Sequence, residues 1–149
     1  MCDASWCPET GAAGYGFWIA SDRGKQPGGG QFRDIMSTAA EAEMGAVVNS
    51  LVHARNLNLL MPGDWVLVQT DCVEAIAVLS GRREPLTRLA ENIRDALQLF
   101  LNKHNILVTF KHVKGHSKNK QARFLANNHC DTRAKGHMRD KRKELRSSP

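Results

Sequence analysis

The sequence is short of several things that would place it in a large class. No apolar run approaches the ~20 residues a membrane-spanning helix needs, so no membrane partner is expected. No basic stretch followed by an apolar one opens the chain, because Asp3 and Glu9 fall where such a leader would lie. The expected location is therefore the cytoplasm. The four cysteines, Cys2, Cys7, Cys72 and Cys130, form no C-x-x-C pair, which argues against a structural zinc site. Reduced thiols that pack as small hydrophobes are expected instead. No internal repeat and no long linker divides the chain. What is left is one globular domain over residues 1–138, with a basic tail over 139–149 that is expected to fray. Apolar residues at 42% and charged residues at 24% suit a domain that buries an ordinary core.

Charge is unevenly placed. Residues 1–102 hold 8 Lys/Arg against 12 Asp/Glu, whereas residues 103–149 hold 13 against 3. A basic C-terminal third beside an acidic remainder suits a polyanionic partner, with a solubilising tail as the plainer account.

Periodicity gives the elements. Residues 14–21 alternate and are aromatic, so they read as a strand. The run Pro27-Gly28-Gly29-Gly30 reads as a loop, with a return strand at about 31–36. Thr38-Ala39-Ala40-Glu41 fits a capping box, and Met44, Val47, Val48 and Leu51 follow as one apolar helix face. Trp65–Thr70 is an apolar strand expected to be buried on both faces. Cys72–Leu79 is a short helix, and Pro85 suits the first turn of the next one, which carries Leu86, Leu89, Ile93, Leu97 and Phe100. Residues 106–113 form a further strand, and a last helix starts near Arg123. Strand, strand, strand, helix, strand, helix, helix, strand, helix predicts an α/β fold with a mixed sheet.

Four carboxylates stand at element ends or on helices: Asp3, Glu43, Asp71 and Asp131. Four converging carboxylates would repel one another unless cations held them, which points to divalent metal and phosphate chemistry. The capping box gives Glu41 a structural role and leaves Glu43 as the ligand candidate. Each acid also has a plainer use. Asp3 could begin a turn, Glu43 could favour its helix dipole, Asp71 could cap a helix, and Asp131 could pair with Lys135.

Asp3-Ala4-Ser5 with Gly14-Tyr15-Gly16, then Ala42-Glu43, Thr70-Asp71, Val113-Lys114-Gly115-His116 and Asn127 before Asp131 make the chain resemble a type 1 ribonuclease H from residue 3 to about 138. The resemblance implies a ribonuclease H-like fold, a five-stranded mixed sheet flanked by helices with the acids meeting at one end of its central strands. It implies hydrolysis of the RNA strand of an RNA–DNA hybrid, leaving 5′-phosphate and 3′-hydroxyl ends. It further implies that Asp3, Glu43, Asp71 and Asp131 hold two Mg²⁺ ions, with Mn²⁺ as the alternative, and that His116 assists proton transfer or product release.

Hard Mg²⁺ prefers oxygen ligands, and two such ions clamp the attacking water and the leaving oxygen of an in-line displacement. Asp3 is expected to bridge both, Asp71 to serve one, Glu43 the other, and Asp131 the looser site. The hybrid's 2′-hydroxyls would meet Ser5, Cys7, Ser37, Thr38 and Asn127. Lys111, Lys114, Lys118, Lys120 and Arg123 would touch phosphates, which position a duplex without reading its sequence. The expected enzyme is a monomer. A nuclease for branched DNA or double-stranded RNA, and a module that only holds nucleic acid, are the competing readings. Three departures from the family stand out: only Met1 and Cys2 precede Asp3, Ala39 and Ala40 stand where the family often has asparagines that contact the nucleic acid, and Gly81–Pro85 is a short joint where many relatives carry a basic helix, for which the tail could substitute.

Overall fold

The computed structural model describes residues 1–114 and 122–147. The element order is the expected one: β1 (Cys2–Trp6), β2 (Ala13–Ser21), β3 (Gly24–Gln31), α1 (Ala39–Asn56), β4 (Trp65–Thr70), α2 (Val73–Leu79), α3 (Arg88–His104), β5 (Leu107–His112) and α4 (Ala122–Ser147). Strands β1, β2 and β3 form an antiparallel ladder, with Asp3 opposite Gly16 and Ser21 opposite Gly24. Strands β4 and β5 form a parallel one, with Thr70 opposite His112. The fold is thus the mixed α/β architecture expected, with one difference. Among the described residues the two ladders are separate sheets, β1-β2-β3 and β4-β5, with no ladder hydrogen bonds between them.

The return strand lies earlier than the sequence suggests. The chain turns at Asp22-Arg23, with Gly24 at φ +143°, and the Pro27–Gly30 run read as a loop is part of β3. The glycines make room for aromatic neighbours on β2: a Cβ on Gly28 would sit 2.5 Å from the Phe17 ring. Pro27 is tolerated because β3 is an edge strand with one neighbour.

Helix α1 is built as the sequence predicts. Thr38 accepts from the Glu41 N–H and Glu41 reaches back to the Thr38 N–H. Met44, Val47 and Leu51 are buried against Tyr15, Phe17 and Phe32, and Leu97 of α3 closes the same core. Two further expectations are corrected. Strand β4 is not buried on both faces: Trp65 is 70% and Leu67 46% exposed. Pro85 lies before α3, whose cap is Thr87, and Leu86 is exposed. Helix α4 continues through the basic tail to Ser147, with an Arg146–Glu9 ion pair and Gln31 donating to Glu144.

Helix α4 lies directly on β2. A Cβ on Gly16 would come within 2.3 Å of the Cys130 carbonyl oxygen, and one on Gly14 within 2.4 Å of the Met138 nitrogen. Glycine is therefore required at both positions for the helix to approach this closely, and the approach brings Asp131 toward β1.

Candidate active site

Three elements deliver three carboxylates to one point. Asp3 stands on β1, Glu43 in the first turns of α1, and Asp71 at the bend that ends β4. One oxygen from each lies within 4.8 Å of the others. The Ala4 N–H, which lies on the side of β1 turned away from β2, donates to Asp3 Oδ1 at 2.9 Å and to Glu43 Oε1 at 3.3 Å. The other Glu43 oxygen, Oε2, is buried without a hydrogen-bond partner.

The electrostatics follow from this crowding. Burial, then the Asp71 charge, raises the Asp3 carboxyl from 3.8 to about 6. Burial, then the charges of Asp3 and Asp71, holds Glu43 well above the ordinary glutamate value. Removing water from a carboxylate and placing another beside it both penalise ionisation. Glu41 is the contrast. It too is buried, but hydrogen bonds from Thr87 and Ser37 outweigh the burial and hold its carboxyl below the ordinary value. Its oxygens accept from the Ser37 N–H at 2.6 Å, the Ser37 hydroxyl and the Thr87 hydroxyl, so it ties α1 to the start of α3.

Asp131 is not in the triad. It lies on α4 near enough for its charge to raise Asp3, but its own carboxylate pairs with Lys135 Nζ at 2.9 Å. Its neighbour Cys130 is buried, with Sγ 3.5 Å from the Met1 carbonyl oxygen, which anchors this turn of α4 to the start of β1. Asn127 donates to the Lys114 carbonyl oxygen at 3.1 Å and so joins α4 to the segment after β5.

The other predicted residues are scattered. Ser37 and Thr38 are committed to the α1 cap, and Cys7 is buried. Ser5 is half-buried on β1, while Lys111 and Lys114 are exposed at the end of β5 and just beyond it. His116, Lys118 and Lys120 lie outside the described residues, as does the side chain of Arg123. Sequence reading overlooked His112, whose Nε2 lies 3.1 Å from the Asp71 carbonyl oxygen. The signal that could have found it is the parallel register, which sets it opposite Thr70.

A buried orphan oxygen, hard oxygen donors and two carboxyls held above their ordinary values form a donor set that suits a small divalent cation. Such a cation would supply the partner that Glu43 Oε2 lacks and reverse the penalty on ionising Asp3.

The comparisons agree with this picture. Three solved structures share the fold. RNase H1 from the halophilic archaeon Halobacterium salinarum has a TM-score of 0.70 at 18% identity, covering 93% of this chain and 95% of that one. The N-terminal RNase H domain of Rv2228c from Mycobacterium tuberculosis has a TM-score of 0.68 at 16% identity, covering 96% and 94%. LC11-RNase H1, solved in complex with an RNA/DNA hybrid, has a TM-score of 0.70 at 15% identity, covering 93% and 94%. No curated protein matches the sequence. The family model for RNase H matches residues 1–139, nearly the whole of the chain, and the chain therefore belongs to the RNase H family.

Proposed function

We propose that this protein is a metal-dependent endonuclease that hydrolyses the RNA strand of RNA–DNA hybrids, leaving 5′-phosphate and 3′-hydroxyl ends. The observation that carries this reading is the carboxylate triad of Asp3, Glu43 and Asp71, with an orphaned oxygen and two raised carboxyls, in a chain of this family. A hybrid bound to a protein of the same fold supports the substrate class.

Two divalent cations, Mg²⁺ or in its place Mn²⁺, would supply an activated water and a stabilised leaving 3′-oxygen. The residues of this chain would do the holding. Asp3, whose carboxyl feels both Glu43 and Asp71, would hold the cations together with them. Glu43 and Asp71 would each supply oxygen ligands beside it. Asp131, outside the triad and already paired with Lys135, is the more loosely engaged acid, released when Lys135 turns to a phosphate. The Ala4 N–H keeps the Asp3 and Glu43 oxygens facing the same point. His116 follows the β5 strand in sequence and would move a proton or release product. Ser5 and Asn127 would meet 2′-hydroxyls, and Lys111, Lys114, Lys118, Lys120 and Arg123 phosphates. The protein acts as a monomer in this scheme.

The test is cleavage of a labelled hybrid, a DNA duplex and an RNA duplex, each with and without Mg²⁺. Cleavage of the hybrid alone, lost on Asp71→Asn by at least about a thousandfold, is expected. Hybrid cleavage that survives that substitution refutes the mechanism, and preferred cutting of either other duplex refutes the substrate.

A further inference from the structure

Helix α4 carries four basic residues at one helical spacing. Lys135, Arg139, Arg142 and Arg146 follow i, i+4, i+7 and i+11. At about 100° per residue they fall within roughly 60° of one another round the helix axis, and at about 1.5 Å rise per residue the stripe is roughly 16 Å long. It begins one turn beyond Asp131, with which Lys135 pairs. The two acids that follow in the helix, Asp140 and Glu144, lie on other faces, about 140° and 180° round from Lys135. The stripe is therefore a face of one sign, where alternating charges would have neutralised each other along the helix.

Contacts fix the way the stripe faces. Cys130 and Ala134 are buried against the sheet. On one flank of α4, Glu144 accepts from Gln31 of β3 and His129 lies edge-on to Trp18, ring centroids 5.6 Å apart. The stripe occupies the opposite flank. Arg142 hydrogen-bonds the Cys7 side chain, and Arg146 pairs with Glu9 at 3.1 Å, both in the turn that follows β1. Helix and strand thus run the same way, Asp131 lying near Asp3 and Arg142 beside Cys7. The four cations line the path that leaves the carboxylate triad along β1. Lys135, Arg139 and Arg146 are exposed and Arg142 is half-buried. The Arg146–Glu9 pair stands in water, its side chains 56% and 77% exposed, and such a pair exchanges readily for another anion.

We propose that this stripe is a docking track for one phosphate backbone of the bound hybrid, beginning beside Asp131 and leaving the triad along β1. Its length matches about five phosphates of one strand, at about 3.4 Å of duplex axis each. Three of its four members are arginines, whose planar guanidinium grips a phosphate with two hydrogen bonds. A continuous helix presents all four at fixed spacing, so the track is formed before the duplex arrives. Contacts to phosphate carry no sequence information, so the track holds the duplex in register without choosing its bases. That the polyanion is a hybrid rests on the ribonuclease reading, while the track is read from α4 alone.

The experiment compares Arg139→Gln with Arg146→Gln, made together, against Lys25→Gln with Lys103→Gln. The second pair removes the same charge from exposed positions at the end of the fold away from the triad. Binding of a labelled hybrid long enough to span the track is followed by fluorescence anisotropy through a salt series, with a chelator present so that the hybrid stays uncut. The stripe variant should bind about tenfold more weakly at low salt, and its slope of log K against log salt should fall by about two. An unchanged slope overturns the proposal. So does an equal loss in the Lys25 and Lys103 variant, because net charge alone would then account for binding. Arg139→Lys with Arg146→Lys keeps both charges and should restore most of the slope; a lysine pair as weak as the glutamine pair overturns the proposal, since the loss would then lie in the helix itself. If the glutamine pair releases the protein from phosphatidylserine vesicles and leaves hybrid binding intact, the face belongs to a membrane surface and the proposal falls. Stripe-dependent binding without Mg²⁺-dependent cleavage leaves the track standing and counts against the ribonuclease reading alone, while cleavage with an unchanged slope does the reverse.

Discussion

Asp3→Asn should make the metal-free protein more stable at neutral pH while removing its response to divalent cations. In the folded chain the Asp3 carboxyl titrates near 6, against an ordinary value of 3.8, because burial and the Asp71 charge oppose its ionisation. Between those two values the folded state binds more protons than the unfolded one. Stability is therefore full below about pH 4, falls as pH rises, and levels off above about pH 6. A shift of about two units at 1.36 kcal/mol each makes the loss on the order of 3 kcal/mol at pH 7. Asparagine keeps the oxygen that accepts from Ala4 and carries no charge, so it escapes the loss and relieves Glu43 as well. For a chain of this size that corresponds to a melting temperature higher by about 6–12 °C. The assay is thermal unfolding with a chelator present, at pH 4 and at pH 7. The two proteins should melt together at pH 4 and separate at pH 7. Millimolar Mg²⁺ should then raise the melting temperature of the wild type and leave that of the variant unchanged. A variant no more stable than wild type at pH 7, or one still stabilised by Mg²⁺, refutes the argument that charge crowding among Asp3, Glu43 and Asp71 is what a cation relieves.

Gly16→Ala should cost about 2–3 kcal/mol, because its Cβ would lie 2.3 Å from the Cys130 carbonyl and α4 must lift; denaturant unfolding measures the loss, and weaker Mg²⁺ binding should accompany it as Asp131 retreats. Glu41→Gln should cost about 1–3 kcal/mol at pH 7, since an amide NH₂ would face the Ser37 and Thr87 donors that the carboxylate accepts. Glu41 is held below its ordinary value, so its contribution is present above the unfolded-state value and lost as pH falls through the folded one, and the gap between wild type and Gln variant should close on acidification. Lys135→Ala should free Asp131 from its ion pair and tighten Mg²⁺ binding modestly, by about threefold, in calorimetric titration; weaker binding would mean that Lys135 positions the acid instead.

What was legible in the sequence was local. The capping box separates Glu41 from Glu43 because both halves of it lie within four residues, and the structure contains both bonds. Asp71 is found because a strand ends where an apolar run ends. The rest depended on partners far along the chain. The Pro27–Gly30 run reads as a loop until Phe17 and Tyr15 are seen lying where its side chains would be. The contacts that the tail makes with Glu9 and Gln31, more than a hundred residues away, cannot be read from the tail's own residues. Asp131 offered metal binding or a Lys135 pair at the same spacing, and only a distance separates them.

The expected burial of β4 fails for a more telling reason. An apolar strand reads the same whether both its edges are paired or one stands open, so Trp65 and Leu67 could not announce that they are exposed. Among the described residues Asp3 and Asp71 stand on ladders that share no backbone ladder hydrogen bond, and the Ala4 N–H is given to the carboxylates. The three clustered acids meet across that junction. Core packing of α1 against β1 and β2 positions Glu43 beside Asp3, and the glycine-permitted approach of α4 brings Asp131 near them.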